Sequence, residues 1–242
     1  QIVTTRLTAQ LMSVMLQDSA HIQEMDAQWK NQKGKRAGRP PVEPLYTVED
    51  AAQVAAHITT AEYGQIVDLC PGVKLRFVDA GHLLGSASVE LWLEENGVEK
   101  KIVFSGDIGN INQPIIRDPV PLQGADYVVM ESTYGDRLHR HSAEHIEEFA
   151  RVIQETLDRG GNVVIPAFAV GRTQEVLYYI RRIKEEGLVT GHGDFDVYVD
   201  SPLAVEATQV FKKNMLDCYN EETKALVKKG INPIAFKGLK LS

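Results

Sequence analysis

Cysteine, aromatic residues and long apolar runs are all scarce in this chain. Its 242 residues include 2 cysteines, Cys70 and Cys218. They are far apart and show no Cys-x-x-Cys spacing, which argues against a disulfide framework or a thiolate zinc site and fits a reducing cytoplasm. No apolar stretch approaches the roughly 18 to 20 residues that span a bilayer, and no segment resembles a signal peptide. Also missing are a Gly-x-x-x-x-Gly-Lys-Ser/Thr loop, a Gly-x-Ser-x-Gly elbow and a Rossmann glycine triplet, which removes ATPase, serine-hydrolase and dinucleotide readings. Positive charge is in deficit too. A net charge of −7 argues against a wholesale basic nucleic-acid binder. It leaves room for a nuclease, because divalent metals reverse the local sign of an acidic pocket.

What is present is an ordinary globular composition, 43% hydrophobic and 24% charged, long enough to bury a core in one large domain or two smaller ones. Apolar positions at helical spacing (Leu11, Val14, Met15, Ile22, Met25) predict a helix over residues 8–25. A second helical stretch runs over 48–61, opened by Thr47 with Asp50 three residues on. Between them Lys30, Lys33, Lys35, Arg36 and Arg39, with Gly34 and Gly38, read as a mobile basic loop, solvated or touching RNA. From Val73 the period becomes two. Val73, Leu75 and Phe77, then Val89, Leu91 and Leu93, predict sheet strands; Glu95-Asn96-Gly97 is a turn, and further strands follow at 101–105 and, buried, at 126–131. After Gly135 helices alternate with short apolar strands. Helices are expected over 146–157, 173–184 and from Pro202, with strands at 163–165 and 195–199, the pattern of a parallel sheet.

Three segments carry the chemistry: Ala80-Gly81-His82-Leu83-Leu84-Gly85-Ser86-Ala87, Phe104-Ser105-Gly106-Asp107 and Glu131-Ser132-Thr133-Tyr134-Gly135-Asp136. In each, a potential ligand or proton carrier stands where an apolar strand stops. Strand ends in layered α/β folds converge on one sheet edge, so His82, Asp107 and Glu131 can share a site. Each also has a plainer reading: a hydrogen-bonded structural His, a turn Asp, and a Glu bracing a loop. Asp79 is a strand-end carboxylate that supports the site at most. Arg172, at a helix start, suits a phosphate or a helix-end ion pair, and Ser201 suits an N-cap or a phosphate contact.

In this order the three segments resemble motifs 3, 4 and A of the β-CASP group of metallo-β-lactamase fold nucleases, RNA-processing enzymes of bacterial and archaeal type. Residues 18–23, 44–47, 165–172 and 199–204 carry the resemblance along most of the chain. It implies an α/β fold: part of a metallo-β-lactamase αββα sandwich over residues 1–135, followed by part of a parallel α/β β-CASP domain over 136–242. It also implies an enzyme, a ribonuclease that cleaves RNA phosphodiester bonds by attack of zinc-bound hydroxide and leaves a 5′-phosphate. Two Zn2+ ions are implied, with His82 and Asp107 as metal ligands and Asp107 bridging. Glu131 would be catalytic beside Asp107, while Arg172 and Ser201 would contact substrate. RNA is the implied partner; no membrane is involved, and a homodimer stays open.

The family's His-x-His-x-Asp-His segment has no counterpart. His139-x-His141 continues into Ser142 and Ala143, and it lies downstream of Glu131. With Gln1 rather than Met at its start, the chain is expected to be an internal piece of a longer protein and inactive alone. A non-catalytic RNA- or partner-binding scaffold, or a small-molecule hydrolase of the same fold, is the alternative.

Overall fold

A computed structural model describes residues 1–36, 38–138, 145–214 and 219–242. The chain opens with β1 (Ile2–Thr5) and α1 (Arg6–Arg36), continues through α2 (Val48–Gln53), a 3-10 turn (Val54–His57) and β2 (Ile58–Ala61), and then enters a sheet. That sheet has five strands in sequence order: β3 (Ile66–Cys70), β4 (Val73–Asp79), β5 (Ala87–Glu95), β6 (Val98–Phe104) and β7 (Tyr127–Val129). Neighbours are antiparallel except β6 and β7, which run parallel. β1 and β2 form a separate parallel pair. The remainder is α3 (His145–Asp158), α4 (Arg172–Glu185), β8 (Val197–Val199), α5 (Pro202–Lys213), α6 (Glu221–Lys228) and β9 (Leu239–Leu241), with β8 and β9 parallel. The expected α/β class is what forms.

Local chemistry accounts for the elements. Thr47 and Asp50 make the reciprocal capping box that starts α2. Asn96 and Gly97 both adopt positive φ, the requirement of a tight two-residue hairpin turn between β5 and β6. Ser201 caps α5 and Pro202 fills its first turn. The largest buried cluster joins Leu7 and Leu11 of α1, Leu84 and Ile115 to Leu177 of α4, Val199 of β8, Phe211 of α5, Tyr219 and Ile234. This core spans both sides of residue 135. Smaller clusters centre on Leu75 and Phe77 under the sheet and on Ile153 and Ile183 between α3 and α4.

Four expectations change. The basic stretch is not a loop as far as Arg36. It continues α1, because Lys, Gln and Arg are good helix formers that carry one glycine at about 1 kcal/mol, and Lys33 lies 3.8 Å above the Trp29 ring one turn back. The expected second helix stops at Gln53, because β-branched Ile58, Thr59 and Thr60 find a parallel ladder against β1. The strand delivering Glu131 is not buried: β7 is the sheet's outer strand, and Tyr127, Val128 and Val129 are each more than half exposed. Residues 163–165 form no strand. Val163, Ile165 and Ala167 instead line, together with β8, a cavity of about 580 Å³. His139, His141 and Cys218 lie outside the described residues.

Glu90 of β5 is only 1% exposed. Its carboxylate takes Arg76 Nε at 2.5 Å and Lys101 Nζ at 2.6 Å, and both cations flank the Trp92 ring. Burial pushes Glu90 up, but the two hydrogen-bonded cations outweigh it and hold the carboxyl below its ordinary value. A lowered folded pKa means a contribution present above the unfolded value and lost as pH falls through the folded one. Glu90→Gln should therefore cost about 1–3 kcal/mol near neutrality, and the difference from wild type should shrink in acid. Urea titrations at two pH values check this; a pH-independent difference would show that the charge on Glu90 contributes nothing.

Candidate functional site

Strand directions bring the three motif segments to one edge. β4, β6 and β7 all run the same way, with Phe104 in register with Val129 across β6 and β7, and with Val89 on β5. The residues after Asp79, Phe104 and Val129 therefore emerge side by side, as the sequence pattern predicts. His82 Nε2 stands 3.8 Å from Asp107 Oδ2, with the two side chains 39% and 71% exposed and so open to an incoming ligand. Glu131 closes the group through the backbone: its Oε1 accepts the Ile108 N–H at 2.7 Å, one residue from Asp107.

The loops are held together by a backbone framework. Gly109 N–H donates to Ala80 O at 2.9 Å, tying the Asp107 loop to the His82 loop. The approach is so close that a Cβ on Gly109 would sit 1.7 Å from Gly81 O. Gly109→Ala should therefore unfold this edge and lower stability by about 2–4 kcal/mol, the range for severe backbone or packing clashes. Thermal and denaturant unfolding measure it, and wild-type stability would mean that the two loops yield without cost. Ser105, fully buried, accepts the Glu131 N–H on Oγ at 3.1 Å and accepts the Ser88 hydroxyl on its carbonyl at 2.7 Å.

Behind His82, Ser86 Oγ accepts the N–H groups of both His82 and Leu83 at 3.1 Å, while the Tyr63 hydroxyl donates to Ser86 O at 2.8 Å. Thr5 and Thr8 donate to Gly85 O, where Gly85 takes φ 85° against the start of α1. Asp79 anchors the other flank, accepting the Gly81 N–H on one oxygen and Arg117 on the other. Burial pushes Asp79 up, against the opposing pull of the Gly81 amide and Arg117. Asp79 thus braces the loop rather than joining His82 and Asp107. Ser86 lies inside a motif segment and was open to discovery from the sequence; Tyr63 and Arg117 carried no signal, since only folding places them there.

The two remaining candidates lie elsewhere. Arg172 begins α4 and pairs with Glu175, whose carboxyl burial pushes up and Arg172 pulls back. The preceding Gly171, at φ 86°, approaches Leu83 of the His82 loop so closely that a Cβ would meet Leu83 Cδ2 at 2.3 Å. Ser201 spends its hydroxyl on the Ala204 N–H and lines the 580 Å³ cavity. Among the described residues no group of three or more His, Cys, Asp or Glu side chains gathers to hold a metal. An imidazole and a carboxylate side by side suit a zinc-type ion, but they are two donors where such an ion takes about four.

Residues 173–242 match the Beta-Casp domain. Over 242 residues the chain is 33% identical to a ribonuclease of Thermus thermophilus, covering 99% of this chain and 49% of that protein. It is 35% identical over 214 residues to the transcription termination factor FttA of Thermococcus kodakarensis, covering 86% of this chain and 30% of that factor. With an RNase J-like protein of Methanocaldococcus jannaschii it shares 33% over 191 residues, 78% of this chain and 43% of the other. The chain spans about half the length, or less, of these curated relatives.

Proposed function

We propose, for a chain that belongs to the β-CASP group of the metallo-β-lactamase family, that it contributes one wall of the active centre of a metal-dependent hydrolase cleaving RNA phosphodiester bonds. The convergence of His82, Asp107 and Glu131 on one sheet edge is the observation that supports this reading. Residues 1–135 would be the metallo-β-lactamase portion and 136–242 part of the cap. His82 and Asp107 would hold the metal, taken to be Zn2+, as two of its ligands. When bound, such ions supply a nucleophile near neutral pH and offset charge on the phosphate oxygens.

The chain's own residues do the rest. Ser86 and the Asp79–Arg117 pair orient the His82 loop so that its imidazole points at Asp107. Glu131, held at one oxygen by Ile108, keeps the other for the group that protonates the leaving oxygen. Arg172, exposed at the start of α4 behind Gly171, would meet a phosphate of the strand, and Ser201 is the weaker substrate contact. A bare scaffold is not favoured, because all three chemical residues stand together.

No helix among the described residues is long and apolar enough to cross a membrane. A cytoplasmic location and a homodimer complete the reading.

Metal removal tests it. The full-length gene product should lose RNA cleavage on chelation and regain it with zinc, whereas the 242-residue chain alone should hold sub-stoichiometric zinc and cleave nothing. Cleavage that survives exhaustive chelation would rule out the metal chemistry. Stoichiometric zinc with turnover in the short chain would show that the ligand set is larger than His82 and Asp107.

A further inference from the structure

Residues 113–120 tie the His82 loop to the second half of the chain, a link that the proposed chemistry does not use. At one end they lie behind the loop. Arg117 bonds Asp79 Oδ2 through Nε at 3.1 Å and Nη2 at 2.9 Å, and the Val120 N–H donates to Asp79 O at 2.9 Å. Pro119 packs so closely on Gly81 that a Cβ there would meet Pro119 N at 2.3 Å. Asp79 and Gly81 both precede His82 within the same loop, and the Gly81 N–H donates to the other oxygen of Asp79. At the far end, Ile116 forms an antiparallel bridge with the fully buried Tyr219. The Asn220 N–H donates to Ile115 O at 2.8 Å, and Asn220 Nδ2 donates to Gln113 O at 3.1 Å. Asn220 is also the N-cap of α6.

The stretch between these ends is not slack. Asp118 Oδ1 accepts the Asn112 N–H at 2.7 Å and closes it into a small loop. Within that loop Ile115, buried in the main core, takes φ 75° while the Ile116 N–H donates to Pro114 O at 2.9 Å, the pattern of a strained three-residue turn. A β-branched residue holds a positive φ only where its surroundings impose it. Tyr219 and Asn220 are the backbone part of that constraint, and they come from the second half. Without their hold Ile115 would relax to negative φ and carry Arg117, two residues on, away from Asp79.

We infer that residues 113–120 are a coupling strap through which the second half of the chain sets the position of the His82 imidazole. Arg117 and Asn220 are then positioning residues that touch neither metal nor RNA. The inference rests on the proposed role of His82 as a metal ligand and deepens it, because zinc affinity becomes a property of both halves. Coupling of this kind is reciprocal, so zinc held at His82 steadies the strap and the start of α6.

The full-length gene product with zinc alone supplies the test. Asn220→Asp keeps an oxygen for the Thr223 N–H, and with it the cap of α6, but loses the donor to Gln113 O. Zinc affinity, read by competition with a chelator, should fall about tenfold in Arg117→Gln, as for residues that orient a ligand. It should fall about fivefold in Asn220→Asp, the size of one hydrogen bond. Both changes release one strap, so the double variant should lose less than the product of the two. Hydrogen exchange on the wild-type protein needs no variant: zinc should slow exchange of the Ile116 and Asn220 amides. Unchanged zinc affinity in both single variants, losses that multiply in full, or exchange at Asn220 indifferent to zinc would each overturn the strap. His82→Ala separates this from the reading beneath it. Zinc held there as tightly as in wild type would remove His82 from the metal site, whereas zinc lost there but kept in the strap variants would sink the strap alone.

Discussion

Asp107→Ala should leave the full-length gene product folded and reduce its RNA cleavage to background. The structural half of this expectation comes from exposure and contacts: the Asp107 side chain is 71% exposed, with the His82 imidazole at 3.8 Å. A substitution at such a surface position ordinarily changes stability by no more than about 0.5 kcal/mol. The chemical half rests on the carboxylate's proposed place as a metal ligand beside His82, where it would supply negative charge to a bound cation. Zinc content should fall along with cleavage while the thermal midpoint stays at that of the metal-free wild type. Cleavage at the wild-type rate would remove Asp107 from the metal site, and a large drop in midpoint would make it a structural residue of the loop.

Glu131→Gln is expected to separate turnover from metal binding, with zinc content near wild type and cleavage slower by roughly two to four decades, the size of a lost proton-transfer contribution. The geometry makes glutamine the informative choice. Glu131 Oε1 accepts the Ile108 amide, and the Glu131 N–H is held by Ser105. Glutamine keeps an oxygen for Ile108, so the Asp107 loop stays tied while the charge is gone. Alanine would free that amide and loosen the ligand beside it, confusing the two effects. Zinc loss in Glu131→Gln would make Glu131 a support of the metal site. Normal cleavage would reduce it to a brace at the end of β7.

The contrast between these residues and their surroundings explains what could be read in advance. Alternation in β4 and β5, the Asn96-Gly97 turn, the Thr47–Asp50 box and Pro202 after Ser201 are local signals, and each formed as expected. The failures share a different cause. Nothing within residues 163–165 records that they stay out of the β8–β9 ladder, and nothing within 127–130 records that β7 pairs, among the described residues, with β6 alone. The burial of Glu90 depends on Arg76 and Lys101, which arrive from two other strands.

By itself the sequence determined the α/β class and pointed to the family and to three candidate residues, because strand periodicity, turn residues and motif order are written in neighbouring positions. Only the tertiary structure decided that His82 and Asp107 come within 3.8 Å, that Glu131 reaches them through Ile108, and that Arg117 and Tyr63 brace the His82 loop. It also decided that the basic stretch as far as Arg36 continues α1. Such facts depend on what packs against what, and contact between segments tens of residues apart leaves no local pattern to read.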